Sequence, residues 1–237
     1  MNVWPAWDSR RAADGLRSGH VQVVRLCLQQ PAALRWDWLS PDERHRAQRY
    51  VGEDAARTFA GFRAQVRRVL GALLQRSPES LEFEYGSAQK PHLRDGSLEF
   101  NLSHSGELAL LAVAGADPVG IDIERVVEST DLLSIAQRVF LPDERAIICG
   151  ETGEPSACRF FEQWTLKEAL LKATGTGFQI DPASISIGRR RVVTLGGLVW
   201  RLELLPVGHP WTAAIAFRGG NIDLWELDGT FGGVNMS

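Results

Sequence analysis

Leu108–Glu124 reads LALLAVAGADPVGIDIE: an apolar run, a break of Gly, Asp and Pro between Gly115 and Gly120, then two carboxylates alternating with two isoleucines. The break divides the chain into two stretches of similar length with the same order of elements. Upstream, Glu53–Leu74 carries Ala56, Phe59, Ala60, Val66, Leu70 and Leu73 near helical spacing, and Ser77-Pro78 stops it. Strand candidates follow at Leu81–Tyr85 (LEFEY), Leu98–Leu102 (LEFNL) and Leu108–Ala114, separated by turn-rich pieces such as Arg94-Asp95-Gly96. Downstream, Ser156–Thr174 (SACRFFEQWTLKEALLKAT) reads as a second helix closed by Gly175, with strand candidates at Ser184–Ile187, Val199–Leu205, Thr212–Phe217 and Asp223–Leu227. The pattern predicts a duplicated α+β fold, each helix packed on an antiparallel sheet, with halves at 1–115 and 116–237. A doubly wound α/β sheet fits less well, because the strands come in runs rather than alternating with helices.

Composition bounds the function. The chain has 237 residues, 44% hydrophobic and 23% charged, ordinary values for a folded globular protein. A net charge of -3 argues against a surface built to grip nucleic acid. The longest apolar stretch, Leu108–Ala116, is too short to cross a bilayer, and MNVWPAWDSRR lacks the order of a signal peptide. The expected setting is the cytoplasm, with no membrane association. Cys27, Cys149 and Cys158 are odd in number and lack CxxC spacing, so neither a disulfide framework nor a zinc site is indicated. Arg44, Arg46, Arg49, Arg57, Arg63, Arg67 and Arg68 make Asp42–Arg68 locally positive, a pattern that a solvated helical face explains and that could also help hold a polyanion.

Three groups of residues could carry chemistry. In Gly120–Glu124 (GIDIE), strand periodicity puts Asp122 and Glu124 on one face and both isoleucines on the other. This could be a plain half-buried strand. Two adjacent carboxylates are also relieved by a divalent cation, and oxygen ligands without His or Cys favour magnesium, calcium or manganese. In Trp164–Lys172 (WTLKEALLK), helical spacing aligns Trp164, Glu168 and Lys172. That alignment suits either a surface i,i+4 ion pair or, beside a partly buried Trp164 and two lysines, a metal-phosphate site. In Phe100–Gly106 (FNLSHSG), adjacency of Ser and His gives no triad, but hydroxyl, imidazole and backbone donors can converge on an anion. Upstream, Gln89-Lys90-Pro91 places a cation after a turn.

These segments resemble, in order, the motifs of the Sfp-type 4'-phosphopantetheinyl transferases. Lys90-Pro91 looks like the family's GKP, Asn101–Ser105 like N(I/L)SHS, Gly120–Glu124 like G(I/V)D(I/V)E, and Trp164–Lys172 like WxxKExxxK. The resemblance runs from about Arg44 to Ile187 and implies two α+β halves in a pseudo-twofold arrangement. It implies magnesium ligands at Asp122, Glu124 and Glu168, and a pyrophosphate contact at Lys172. It implies contacts to the 3'-phosphate end of coenzyme A from Lys90, Ser103, His104 and Arg57, with Arg44 a weaker member. Glu144 resembles a glutamate that follows the family's linking helix and could be structural. Gln89 stands where the family has Gly, and Thr176 where it often has Lys.

The implied activity is transfer of phosphopantetheine from coenzyme A to a serine of an acyl or peptidyl carrier protein by a monomeric, magnesium-dependent enzyme. Adenosine 3',5'-bisphosphate would leave, and Glu168 or a metal-organised water would be the base. A non-catalytic coenzyme A-binding module and a magnesium-dependent nucleotide pyrophosphatase are the rivals.

Overall fold

The computed structural model describes residues 4–27, 34–86, 90–128, 131–176 and 180–227. Gln89 and Gly177 lie outside them. The elements run α1 (Ser9–Arg17), β1 (Val21–Cys27), α2 (Pro41–Gln48), α3 (Glu53–Leu74), β2 (Phe83–Tyr85), β3 (Pro91–Leu93), β4 (Glu99–Ser105) and β5 (Leu108–Ala114). They continue with β6 (Gly120–Arg125), α4 (Leu132–Val139), α5 (Pro142–Cys149), α6 (Ala157–Thr174), β7 (Val192–Leu195), β8 (Leu198–Leu205), β9 (Trp211–Phe217) and β10 (Ile222–Glu226). The fold is α+β, as the runs of strands indicate. Two four-stranded sheets, ordered β10-β1-β5-β4 and β6-β9-β8-β7, pack face to face.

Strand β5 shows why the sheets stack. All seven of its residues are buried, so both faces must be covered. Ala109, Leu111 and Val113 join Phe62, Val66, Val69 and Leu70 of α3. Leu108, Leu110, Ala112 and Ala114 meet Ile121 and Ile123 of β6 and Ile215 and Phe217 of β9. Helix α6 covers the outer face of the second sheet through Leu166, Ala169, Leu170 and Ala173. The resulting layers are helix, sheet, sheet, helix. Among the described residues no helix is long and apolar enough to cross a membrane.

The two helical layers are anchored by matching buried polar clusters. Pro41-Asp42-Glu43-Arg44 opens α2 and Pro142-Asp143-Glu144-Arg145 opens α5. In each, the glutamate accepts from a backbone N–H three residues earlier, at Ser40 and Leu141, and the arginine donates to the carbonyl five residues earlier, at Leu39 and Phe140. Glu43 pairs with Arg63 and Arg67 of α3, and Glu144 with Lys167 of α6. Arg67 then donates to the carbonyls of Pro78 and Leu81, while Lys167 donates to those of Pro182 and Ile185. Arg63, Arg67 and Glu43 therefore do not belong to a solvated face. Their charges point inward, where each is paired because an unpaired buried ion is costly.

Two strand readings are corrected. Ser184–Ile187 is not a strand: Pro182–Ser184 is a 3-10 turn, and the following residues stay unpaired. Ile185 and Ile187 are buried as alternation requires, but Lys167 takes the Ile185 carbonyl and Glu144 takes the Ile187 N–H, satisfying groups that a neighbouring strand would otherwise claim. The Asp223–Leu227 candidate does form β10, yet it leaves the second helix's sheet and pairs parallel with β1, making the first sheet mixed. Trp225 decides this: its ring enters the core beneath α3, and its indole N–H donates to Gln22 in β1.

Candidate active site

Strands β4 and β6 are both sheet edges, and they face each other where the two sheets meet. Side chains on alternate residues of β4 join them. Asn101 Oδ1 accepts from the Ile121 N–H, Ser103 Oγ from that of Ile123, and Ser105 Oγ from that of Arg125, at 2.8, 3.4 and 3.0 Å. The period-two pattern in FNLSHS thus satisfies donors that an open edge would leave exposed. It also turns Leu102 and His104 to the other side of the strand.

The same ladder fixes the acid cluster. Asp122 is 2% exposed; its Oδ1 accepts from Ser103 Oγ at 3.0 Å and from Lys172 Nζ at 2.6 Å. Lys172 Nζ also donates to Ser103 Oγ at 3.0 Å. Ser103 Oγ therefore sits among the carboxylates, while His104, next in the strand, points to the other side. Close packing of α6 on β6 makes this possible. Gly120, Asp122 and Glu124 lie opposite Ala216, Ala214 and Thr212 of β9, a face of small residues around the acids. A Cβ at Gly120 would come within 2.1 Å of the Ala169 carbonyl oxygen, so only glycine admits the helix at this distance.

The electrostatics are those of crowded acids. Burial first, then Asp122, push Glu124 up to about 7, with Glu168 adding to the rise and Lys172 opposing it. Glu168 is likewise raised, by burial and then by Asp122. Asp122 Oδ2 is buried and has no hydrogen-bond partner. Among the described residues no three His, Cys, Asp or Glu side chains are grouped so as to hold a metal ion by themselves. Magnesium does not require such a group: it keeps waters and binds through few carboxylates together with substrate phosphates. An orphaned Asp122 oxygen beside two acids that resist ionisation, in an all-oxygen donor set, fits such a cation.

Other expected residues separate from this cluster. His104 lies on Phe62 of α3, ring centroids 5.5 Å apart and 24° from parallel, and partial desolvation followed by the Lys172 charge lowers its pKa. Arg57 pairs with Glu53 one turn earlier on α3. Lys90 Nζ donates to the carbonyls of Val119 and Lys172, each at 3.0 Å. Lys167 does not face the acids with Lys172; it is buried with Glu144 on another side of α6. Glu144 is thus part of the framework. Trp164 is half-buried against Phe160, and Thr176 bonds Thr174 just beyond the Gly175 cap. Asn101 carries no expected role and Ser105 only that of a hydroxyl near an anion, although the alternation of their motif is the signal that both face the β6 edge.

Residues 118–198 match the 4'-phosphopantetheinyl transferase superfamily. Over 214 residues, 86% of this chain and 90% of the relative, the sequence is 41% identical to the 4'-phosphopantetheinyl transferase HetI of Nostoc sp.. The chain belongs to the 4'-phosphopantetheinyl transferase superfamily. It is also 32% identical to the transferase Sfp of Bacillus subtilis over 154 residues, 63% of this chain and 66% of that one. The matched segment of the transferase contains Asp122, Glu124, Glu168 and Lys172, the groups that β6 and α6 hold together. Lys90, Asn101, Ser103 and His104 precede it, on the half that β4 presents to β6.

Proposed function

We propose that this transferase moves 4'-phosphopantetheine from coenzyme A to a serine of an acyl or peptidyl carrier protein, releasing adenosine 3',5'-bisphosphate. The observation that carries the reading is the buried Asp122, with one oxygen held by Ser103 and Lys172 and the other unpartnered beside Glu124 and Glu168. Asp122, Glu124 and Glu168 would hold magnesium. When bound, the metal would neutralise pyrophosphate charge and stabilise the departing phosphate.

The chain's own groups supply the remaining steps. Lys172, already oriented by Ser103 and Asp122, is the ammonium that meets the pyrophosphate. A Glu168 carboxylate oxygen, or a water that it holds, takes the proton of the incoming serine. His104 and Arg57 lie on the first half and bind the 3'-phosphate end, so the donor spans the meeting of β4 and β6. The nucleophile comes from the carrier, which is why no activated Ser or Cys is required here.

The matching Glu43 and Glu144 clusters support a pseudo-twofold relation between two halves that divide at 115/116, with the expected bounds of 116–237 corrected in that β10 returns to the first sheet and belongs to the first half. We take the enzyme to be a cytoplasmic monomer. The test incubates the protein with magnesium, labelled coenzyme A and a panel of carrier proteins. Label should appear on the carrier serine. Hydrolysis of coenzyme A without a carrier would favour a pyrophosphatase, and binding without turnover a non-catalytic module.

A further inference from the structure

Lysine is scarce in this arginine-rich chain: only Lys90, Lys167 and Lys172 occur. Each ammonium has a specific place. Lys172 meets Asp122, Lys167 is buried with Glu144, and Lys90 reaches from the residue before β3 to the opposite half. Its two acceptors deserve notice for where they lie. Val119 immediately precedes β6, the strand of Asp122, and the Lys172 carbonyl belongs to the last turn of α6, where it accepts a long bond from the capping Gly175 N–H, at 3.3 Å, and has a lone pair left for the ammonium. A compact ammonium can satisfy both carbonyls, and positive charge is favourable at a helix C-terminus.

We propose that Lys90 is a positioning residue, whose ammonium ties the end of α6 to the start of β6 and so holds Lys172 against Asp122, rather than a reader of the 3'-phosphate. The proposal rests on the functional reading above and assigns Lys90 a different task from the one its motif implies. With both carbonyls already engaged and the residue half-buried, the ammonium is held in the framework. Nothing else on the first half contacts both of these acceptors among the described bonds. Loss of the tie should loosen the last turn of α6 and misplace Lys172, affecting turnover whichever donor is bound.

The experiment compares wild type with Lys90→Met, using coenzyme A and dephospho-coenzyme A as donors. The variant should lose roughly ten- to a hundredfold in kcat with both donors, while the ratio of their KM values stays that of wild type. Amide exchange in residues 172–176 should accelerate. A collapse of discrimination between the donors, or unchanged kcat and exchange, overturns the proposal. Should the variant fail to fold, lysine acetylation of wild type followed by mass spectrometry decides. Lys90 should react slowly in free protein and at the same rate with coenzyme A present, whereas Lys172 should be protected by it. Protection of Lys90 only on adding coenzyme A would refute the tie. If Lys172 is not protected, the functional reading fails, while the exchange measurement still tests Lys90.

Discussion

Replacing Glu43 by Gln should destabilise the protein strongly although the residue lies outside the acid cluster. Its two oxygens meet Arg63 Nη2 at 2.6 Å and Arg67 Nε at 2.7 Å, and both guanidinium groups are shielded from water. Glutamine keeps the volume and an oxygen for the Ser40 N–H and Arg67 Nε but turns its amide NH2 toward the Arg63 guanidinium, so the change removes the charge and the acceptor for Arg63 together. Removing one partner of a buried ion pair typically costs about 3–5 kcal/mol, because the remaining charge is left uncompensated. The Pro78 and Leu81 carbonyls continue to hold Arg67, which limits the loss to that range even with two arginines affected. At roughly 2–4 °C per kcal/mol for a chain of this size, Tm should fall by about 6–20 °C. The pH dependence has a defined sign. Burial is the largest influence on Glu43 and raises its pKa, but Arg63, Arg67 and the Ser40 N–H together hold it below the ordinary value of 4.5. Its stabilisation is therefore present above that value and lost as pH falls through the lower folded-state pKa. Thermal melts followed by circular dichroism between pH 7 and pH 3 should show wild type losing stability in acid and Glu43→Gln losing less. A Tm decrease below about 2 °C at pH 7 would show that the arginines do not depend on this charge.

Asp122→Asn should abolish carrier labelling, a loss of roughly a hundredfold or more, yet leave Tm without divalent cation unchanged or raised, since it relieves Glu124 and Glu168; near-normal transfer at low magnesium would remove Asp122 from the metal. Glu144→Gln should cost about 3–5 kcal/mol, as Lys167 loses its buried partner, and lower Tm by roughly 6–20 °C; an unchanged melting curve would refute the pairing. Gly120→Ala should cost on the order of 1–3 kcal/mol and reduce transfer, because the new methyl meets backbone atoms of α6 at 2.1 and 2.3 Å; a variant with wild-type melting and turnover would show that α6 can move away freely.

Much of this architecture is legible in the sequence because it is local. Glu53–Leu74 and Leu108–Ala114 are observed with the bounds that periodicity and their breakers indicate, and Ser156–Thr174 differs by one residue at its cap. Alternation also places Ile121 and Ile123 in the core and Asp122 on the opposite face. What escapes such reading is the partner of each group. An arginine at 63 or 67 has the same sequence signature whether it faces water or a glutamate twenty residues upstream. Likewise Ser184–Ile187 has the alternation of a strand, and only Lys167 and Glu144, distant in sequence, determine that its backbone remains outside the sheet.

The motifs themselves show the same division. Asn101, Ser103 and Ser105 alternate with Leu102 and His104, so one strand serves two purposes: three side chains bind the β6 edge, and His104 is left on the other side of the strand, stacked on α3. Acid cluster and interface are consequently one structure. The Ser103 hydroxyl that accepts from the Ile123 N–H is also the hydroxyl that contacts Asp122 and Lys172. A substitution there cannot weaken the junction without disturbing the acids, nor can one at Ser105, which removes a hydrogen bond to Glu124, whereas one at Asn101 can. Asn101→Ala should therefore affect stability before turnover and Ser103→Ala turnover at least as much as stability, and equal ratios of the two losses in both variants would show that the ladder and the acid cluster are not distinct in function.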